Sequence, residues 1–521
     1  MKQKKLSHLS RRDVLKSLSA LPFLGYFTFG FKGNISKEVS KSKKGVNYLQ
    51  RLKIGQLESP EEKLKPPTGN NSNSLRLGLV GHGWRGEQLM RSLSFEHREV
   101  VEKNLLDGQL RGRLLENSKR EDLNVELTAV CDTFEIHANR GTDYIDLRNA
   151  REEVEKKDAG KTKIFPNYRE MIANGNIDAI IIATPDHTHA QIAIDAAKAG
   201  IHVFLEKPMT HSIEEAVELK KTIKSTGVIF QLGHENRQQM SFKMAREMYR
   251  KGVLGIVSMI QAYTNKNGKY NAWIRERKYD HLGNPGNINW KEFLGNAPWN
   301  EFDPKRYFNW HRYSDYGTGA IGNNFSHRYD CINQVMDIGI PESVVALGGQ
   351  YYYKNHGDMP DVMNAIFSYP ERGLTMTYDC TLKNGIYRQL HIIGSDASMD
   401  IDRAIYLYKD ESSERYKDIK VGSSDPLYYY QPNTDVDAVT SATAISYIKS
   451  GYGPTYIDGK VIDATFLHLK EWVDAIRGHG STSCNINVGF EEAVTFNMAN
   501  LAYEHKKVVK WDKENEKAII G

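Results

Sequence analysis

The stretch at residues 321–330, IGNNFSHRYD, carries side chains that can bind a polar ligand and move a proton. Its pattern predicts a helix, on which Asn323 and His327 lie four residues apart and share one face. Histidine titrates near neutral pH, so His327 is a candidate general acid/base. Asn323 can donate or accept a hydrogen bond but cannot take a proton. A core histidine satisfied by its neighbours is the alternative interpretation of His327.

A second candidate group begins at residue 75, where the chain reads LRLGLVGHGWRG. An apolar strand precedes a G-x-G-x-x-G turn, and a predicted helix at 87–93 follows it. In such a turn Gly81 provides the tight bend, Gly83 lets the backbone approach a pyrophosphate, and Gly86 lets helix and strand pack closely. The first N–H groups of the helix then face the phosphates. The turn therefore predicts a dinucleotide site.

An acidic residue closes the next predicted strand. The strand at 125–131 ends in Asp132, after a charged stretch at 96–122 that looks inserted. A carboxylate at this place can bind the ribose hydroxyls of adenosine and repel a 2′-phosphate, which favours NAD over NADP. The alternative interpretation is that Asp132 is only a turn or N-cap residue.

Strands and helices alternate up to residue 233 and cease to alternate after it. Alternation predicts a doubly wound parallel sheet with its ligand at the carboxyl ends of the strands, where Thr184, His189 and Lys207 lie. After a helix at 241–251, extended segments recur without helices between them, which predicts a large, mostly antiparallel open sheet with flanking helices. The fold class is thus α/β plus α+β. The predicted strands are 177–183, 201–205, 228–232, 257–263, 344–352, 363–369, 374–380 and 390–394, and the predicted helices of the first part are 189–198 and 213–225.

The N-terminus has the form of a targeting segment. The motif SRRDVLK at 10–16 resembles the twin-arginine export signal, and a short apolar run at 17–31 follows it. We therefore expect export to the periplasm, with membrane contact only through this segment if it stays uncleaved. A basic amphipathic arm is the alternative interpretation.

Composition excludes some functions. The 521 residues carry a formal net charge of +5, but the first fifty hold eleven lysines and arginines against two acidic residues. The rest of the chain is net negative, so no nucleic-acid partner is expected. The four cysteines, Cys131, Cys331, Cys380 and Cys484, lack metal-ligand spacing. We expect buried thiols, with pairwise disulfides as the alternative, and no metal site.

Three motifs together resemble the glucose–fructose oxidoreductase / inositol dehydrogenase family (Gfo/Idh/MocA). They are the glycine turn, TPDHTHA at 184–190 and GIHVFLEKP at 200–208. The resemblance implies a nicotinamide cofactor beside Lys207, which would position and polarise a substrate hydroxyl. A surface salt bridge is the alternative role of Lys207. The resemblance also implies a second domain whose catalytic helix carries His327. Asn323 stands where sugar dehydrogenases of the family carry Asp.

The resemblance sets the remaining expectations. We expect a signal peptide at 1–35, a linker at 36–74, an NAD-binding Rossmann domain at 75–233 and a substrate and oligomerisation domain at 234–521, in a dimer or tetramer. The predicted catalytic residues are Lys207, His327 and Asn323. The predicted substrate-binding residues are Arg312, Asn323, His327 and Asp330. The predicted cofactor-binding residues are Gly81, Gly83, Trp84, Arg85, Gly86, Asp132, Thr184, Pro185, His187, His189, Glu206 and Lys207.

Three functions are compatible with these motifs. The first is an exported NAD-dependent oxidoreductase that acts on a sugar, a cyclitol or a sugar derivative. The second is a redox-neutral NAD-dependent glycoside hydrolase with tightly bound NAD, which Asn323 and the export of an already folded protein favour. The third is a non-catalytic carbohydrate-binding relative. Tyr428, Tyr429 and Tyr430 are either a carbohydrate-stacking face or loop packing.

Overall fold

The computed structural model describes residues 52, 74–105, 109–156, 162–267, 278–354, 357–422, 425–430, 454–457 and 460–521. The predicted signal peptide, almost all of the predicted linker and residues 431–453 of the tyrosine-rich region lie outside the described residues. All the elements given below belong to one compact unit, Gln56–Gly521.

The first sheet has six strands, all parallel, in the order β5-β3-β1-β6-β7-β8. Its central strands are short and almost wholly apolar because helices cover both faces. The predicted doubly wound sheet is confirmed. Its strands are β1 (Leu75–Val80), β3 (Val125–Cys131), β5 (Lys163–Ile164), β6 (Ala179–Ile182), β7 (His202–Leu205) and β8 (Phe230–Leu232).

Two helices of this first part start earlier than the sequence pattern predicts. The one after the glycine turn begins at Trp84 and the one after β6 begins at Asp186, three residues before each predicted start. The helix that begins at Ile213 has a capping box between Ser212 and Glu215, which fixes its start as predicted. The helices are α1 (Trp84–Ser92), α2 (Arg98–Asn104), α3 (Gly112–Ser118), α4 (Glu135–Arg140), α5 (Ala150–Lys156), α6 (Tyr168–Asn174), α7 (Asp186–Lys198) and α8 (Ile213–Thr226).

The charged stretch at 96–122 folds beside the first sheet. Strands β2 (Phe95–His97) and β4 (Tyr144–Asp146) pair antiparallel, and α2 and α3 pack near them. Their contacts form a small apolar core that includes Val101, Leu114 and Ile145. The described residues of this stretch therefore form an addition to the Rossmann-like unit.

The second sheet has ten strands in the order β16-β15-β14-β13-β9-β12-β11-β10-β19-β20. Only β9 and β12 pair in parallel, so the predicted mostly antiparallel sheet is confirmed. Buried and less buried side chains alternate along β12, as expected for a sheet with one covered face. Its strands are β9 (Val257–Asn265), β10 (Ser343–Gly349), β11 (Val362–Tyr369), β12 (Leu374–Thr381), β13 (Leu390–Gly394), β14 (Ala397–Ile401), β15 (Ile405–Lys409), β16 (Tyr428–Tyr430), β19 (Val509–Asp512) and β20 (Lys517–Ile520), and a separate pair is β17 (Pro454–Ile457) with β18 (Lys460–Asp463).

The helices of the second part link the two sheets. Trp472 and Leu469 of α13 are buried in the core of the first sheet, beside Leu77 and Phe204. This packing joins the end of the chain to the first sheet. The helices are α9 (Met240–Arg250), α10 (Trp290–Leu294), α11 (Pro304–Phe308), α12 (Ser326–Met336), α13 (Ala464–Ile476) and α14 (Ile486–His505), with 3₁₀ turns at Leu147–Asn149, Glu235–Gln238, Asp280–Leu282, Trp310–Arg312 and Pro370–Arg372.

The predicted helix around His327 is not uniform. A π-helical turn, Ile321–Phe325, leads into α12, and Asn323 lies on the π turn while His327 lies on the α-helix. Such π turns are frequent at functional sites. Asn323 and His327 still face one cavity, as their spacing predicts.

Two further expectations concern cysteines and membranes. All four cysteines are free and buried, which confirms the buried-thiol interpretation. Within the described ranges, no helix combines the length and apolarity needed to cross a bilayer.

Tyr428, Tyr429 and Tyr430 form the edge strand β16, paired with β15.

Candidate active site

A cavity of about 670 Å³ opens at the carboxyl ends of β1, β3, β6 and β7. This is where a doubly wound sheet binds its ligand. Residues of the second part, including Phe293, Asn323 and His327, line the same cavity. The two parts of the chain therefore contribute to one site.

The glycine turn has the geometry that the motif predicts. Gly81 has φ of +87°, and a Cβ there would lie 2.6 Å from the carbonyl oxygen of Ala183. A Cβ on Gly86 would lie 2.2 Å from the carbonyl oxygen of Gly81, so Gly86 permits helix and strand to touch. Gly81 and Gly83 line the cavity, as does Trp84, whereas Gly86 acts through packing alone.

Arg85 ties the glycine turn to the strand ends. Its Nε donates to Oε1 of Glu206 at 2.7 Å, and its Nη2 donates to Oε2 of Glu235 at 3.0 Å. Burial opposes the charged form, but these two carboxylates hold the pKa of Arg85 above its ordinary value. Arg85 and Glu206, both predicted to bind cofactor, thus form an ion pair in the cavity wall.

Asp132 fixes the local turns and also lines the cavity. Its Oδ2 accepts from the backbone N–H of His82 at 2.7 Å, and its Oδ1 accepts from that of Phe134 at 2.8 Å. The carboxylate therefore fixes both turns. It also lines the cavity at the end of β3, the position from which a ribose would be bound.

The motif TPDHTH divides into residues that face the cavity and one that does not. Thr184, Pro185 and His187 line the cavity. Nε2 of His187 lies 2.7 Å from the carbonyl oxygen of Phe293, and burial lowers the pKa of His187 to about 4. Because this contact joins α7 to α10, His187 connects the two parts of the site.

The prediction that His189 binds the cofactor is wrong. Its ring is 1% exposed, and its Nδ1 and Nε2 each lie 2.8 Å from a carbonyl oxygen, of Pro208 and Thr184 respectively. It does not line the cavity. Because α7 begins at Asp186, His189 lies on the buried face of the helix, where it joins Thr184 to Pro208.

Asp186 is a site residue that the sequence analysis missed. Its Oδ2 accepts from the backbone N–H of Thr318 at 2.9 Å, from Oγ1 of Thr318 at 2.7 Å and from Nδ2 of Asn323 at 3.2 Å. The carboxylate is buried and lines the cavity. Its place at the start of α7, inside a recognised motif, was the available signal. Asp186 holds Asn323 in place from the opposite side of the site.

Lys207 and His327 meet in this cavity from the two parts of the chain. Nζ of Lys207 donates to the carbonyl oxygen of Asn323 at 3.1 Å. Burial lowers the pKa of Lys207, against the opposing charges of Glu206 and Asp186. The surface salt-bridge interpretation of Lys207 is therefore wrong.

His327 is neutral and has an unpaired ring nitrogen. Burial and then the charge of Lys207 lower the pKa of His327 well below its ordinary value. Its Nδ1 has no hydrogen-bond partner among the described residues, so the interpretation as a satisfied core histidine is wrong. A neutral imidazole in this place can take a proton from a bound hydroxyl.

Two predicted substrate residues lie outside the cavity lining. Arg312 is buried, and its neighbours Trp310 and His311 line the cavity instead. The three residues form a 3₁₀ turn, in which successive side chains point about 120° apart. Oδ1 of Asp330 accepts from Nε of Arg237 at 2.7 Å, and the carboxylate is 1% exposed. Asp330 therefore supports α12 from behind His327.

Asp330 also belongs to one of two groups of metal-type ligands in the described part of the chain. In this group, His234 lies 2.5 Å from Glu492 and the guanidinium of Arg237 pairs with Asp330, so the charges balance within the protein. In the other group, His82 contacts the hydroxyl of Tyr144 and the carbonyl of His137. Glu87, the acid of this second group, pairs with Arg91 at 3.0 Å.

Fold and site together define an NAD-binding oxidoreductase of the Rossmann type. Residues 75–234 match the profile described as "Oxidoreductase family, NAD-binding Rossmann fold", and residues 291–511 match "Oxidoreductase family, C-terminal alpha/beta domain". The chain belongs to the Gfo/Idh/MocA oxidoreductase family, as the three sequence motifs predicted, and NAD is its cofactor.

Curated relatives share part of the chain. The 2,7-anhydro-N-acetylneuraminate hydratase of Escherichia coli (strain K12) is 26% identical over 234 residues, which is 44% of this chain and 53% of that protein. The glycosyl hydrolase family 109 protein 1 of Shewanella sp. (strain ANA-3) is 33% identical over 134 residues, 25% of this chain and 28% of that protein. The chain thus spans about half the length of the first relative and about a quarter of the length of the second.

Solved structures share the fold. The WlbA dehydrogenase of Bordetella pertussis, solved in complex with NADH and UDP-GlcNAcA, is similar with a TM-score of 0.53 and 17% identity. The match covers 85% of this chain and 99% of that one.

Proposed function

We propose that this protein removes a hydride from a carbon of a sugar derivative, with Lys207 and His327 handling the proton of the attached hydroxyl. The observation that carries the proposal is that both side chains line the cavity that begins at the glycine turn. Bound NAD supplies the hydride acceptor. Lys207 donates a hydrogen bond to the hydroxyl oxygen and so orients it, and the neutral imidazole of His327 takes its proton.

Asn323 favours a redox-neutral version of this chemistry. Its amide is held by Asp186 and cannot relay a proton, so His327 has no acidic partner at that position to pass its proton on. A cycle that returns both hydride and proton to the substrate needs no such relay. The hydratase and the family 109 glycosyl hydrolase among the relatives accord with this version.

The test is to denature the purified protein and identify its released small molecules by mass spectrometry. A resident cofactor predicts about one NAD per chain, turnover without added NAD and no accumulating NADH absorbance. A protein that retains no NAD, yet oxidises its substrate with stoichiometric added NAD, would make it an ordinary dehydrogenase. A protein that neither retains nor binds NAD would overturn the proposal.

We further propose that the chain is exported by the twin-arginine route. Arg11 and Arg12 before the apolar run support it, and this route carries folded proteins with their cofactors already bound. Replacing both residues by lysine should leave the protein in the cytoplasm, as cell fractionation would show. Unchanged delivery of the double variant to the periplasm would contradict it.

A further inference from the structure

The second sheet brings two segments to the His327 end of the cavity. Arg328, the residue after His327, donates from its Nε to the carbonyl oxygen of Tyr263 on β9 at 3.2 Å. Its Nη1 also lies 3.7 Å from Oδ2 of Asp402, in the turn between β14 and β15. The end of β9 and this turn therefore both lie beside the start of α12.

Each segment places a cation in the cavity lining. Lys266 follows β9, and its backbone N–H donates to the carbonyl oxygen of Thr381 at 2.9 Å, which fixes its place at the end of that strand. Arg403 follows Asp402 in the β14–β15 turn. Both side chains line the same cavity as His327. Arg403 has no hydrogen-bond or ion-pair partner within the described ranges, so its guanidinium is available to a ligand.

The nearby carboxylates already have protein hydrogen-bond donors. Glu206 and Glu235 both pair with Arg85. Asp186 accepts its three hydrogen bonds from Thr318 and Asn323. These three carboxylates are thus committed to protein donors.

Asp402, on the rim, is committed as well. Its Oδ2 accepts from the hydroxyl of Tyr387 at 2.6 Å and also faces Arg328. These contacts of Asp402 are with Tyr387 and Arg328 rather than with Arg403.

Asn324 adds an unsatisfied donor at the same place. Its side chain is 5% exposed and lines the cavity, one residue from Asn323 on the π turn. Its Nδ2 has no hydrogen-bond partner among the described residues. A buried amide without a partner costs free energy unless a ligand supplies the acceptor.

We infer that this end of the cavity binds an anionic group on the sugar substrate, held by Arg403, Lys266 and Asn324. The inference rests on the proposed function, since the same cavity must hold NAD and a sugar. A guanidinium, an ammonium and an amide N–H are the donors that carboxylates and phosphates share. The ligand class is therefore a sugar acid or a sugar phosphate, and neutral sugars bind more weakly.

The experiment uses the full chain loaded with NAD. Trp84 and Trp310 line the cavity, so intrinsic tryptophan fluorescence reports its occupation. The protein is titrated with D-glucuronate, with D-glucose 6-phosphate and with D-glucose at low and high salt. At least one charged sugar should bind about tenfold or more tightly than glucose, the equivalent of one hydrogen bond to a charged group. The preference should shrink at high salt.

Paired variants assign the preference to the named cations. Lys266→Gln combined with Arg403→Gln should abolish the charge preference without weakening NAD binding. Lys517→Gln removes one positive charge from the exposed strand β20 at the opposite edge of the same sheet and should change nothing. The comparison of glucuronate with glucose 6-phosphate decides between carboxylate and phosphate.

The outcomes separate this inference from the proposed function. Failure to bind NAD would overturn the proposed function. If NAD binds normally, three results would overturn the anion site alone. They are glucose binding as tightly as both charged sugars, no binding of any sugar, and a charge preference that survives in the double variant.

Discussion

The two walls of the cavity differ in whether their charged and polar side chains have protein partners. On the Rossmann wall, formed by Arg85, Asp132, Asp186 and Glu206, every one of these charged groups has a protein partner. On the second wall, formed by Lys266, Asn324, His327 and Arg403, Nδ1 of His327 and Nδ2 of Asn324 have no hydrogen-bond partner in the described part of the chain.

This difference indicates that the two walls suit different ligands. A wall whose charged groups are already paired is pre-organised, which suits a cofactor that binds in one fixed pose. A wall with unpaired donors and acceptors suits a ligand that supplies their partners. The following predictions test that difference from the largest expected effect to the smallest.

The largest effect should come from the side chains placed at the reacting centre. Lys207→Ala and His327→Ala should each lower turnover about 10²–10⁴-fold, because a positioned acid or base is lost. Steady-state kinetics on an identified substrate would measure it, with the unfolding midpoint nearly unchanged. Lys198→Ala, at the exposed end of α7, is the matched control. Full activity in both site variants would remove these two residues from the mechanism.

The next effect concerns the support behind the second wall. Arg237→Met leaves Asp330 buried without its guanidinium and should lower the free energy of unfolding by about 3–5 kcal/mol. Arg306→Met breaks a more exposed pair with Asp315 and should cost about 0–1 kcal/mol. Chemical denaturation would compare them. Equal losses would show that the Arg237–Asp330 pair does not hold α12.

A smaller effect tests the Rossmann wall. Asp132→Ala should weaken NAD binding by about 1.5–3 kcal/mol, the value of a hydrogen bond to a charged group, and should reduce discrimination against NADP. Calorimetric titration with both nucleotides would show it. Asp122→Ala, at an exposed carboxylate, should leave both affinities unchanged. Tighter binding of NADP than NAD by the unmodified protein would contradict the assignment of Asp132.

The smallest effect is a pH dependence at the junction of the walls. Burial holds the pKa of His187 at about 4, below its unfolded value of about 6.5, so the unfolded chain binds the proton first as pH falls. Stability is therefore lost between about pH 6.5 and pH 4, and about 2 kcal/mol of it is lost by pH 5. His187→Gln should flatten this part of the stability profile, whereas His479→Gln, on the surface, should not. An unchanged slope in His187→Gln would disprove it.

The same two walls show how far the sequence predicts the site. On the Rossmann wall the glycine turn, Asp132 and Lys207 lie in local motifs at strand ends, where the fold fixes their direction, and all were predicted. Asp186 was missed although it stands in a motif, because its partners Thr318 and Asn323 come from the second wall.

The second wall was harder to predict because its residues meet only in the folded chain. Lys266 and Arg403 stand on a strand end and a turn that are far apart in sequence, and no spacing signals that they share a cavity. Asp330 follows His327 by three residues, so its side chain points about 60° away from that of His327 around an α-helix. This difference is enough for Asp330 to pair with the buried Arg237. The sheet order of this part was likewise beyond sequence reasoning, although its mostly antiparallel class was not.

The most direct test of the account is a crystal structure of the full chain with NAD bound. The account predicts the pyrophosphate at Gly81 and Gly83, the adenosine ribose at Asp132 and the nicotinamide ring in contact with both Lys207 and His327. A nicotinamide that lies away from these two side chains, or a nucleotide bound outside this cavity, would contradict it.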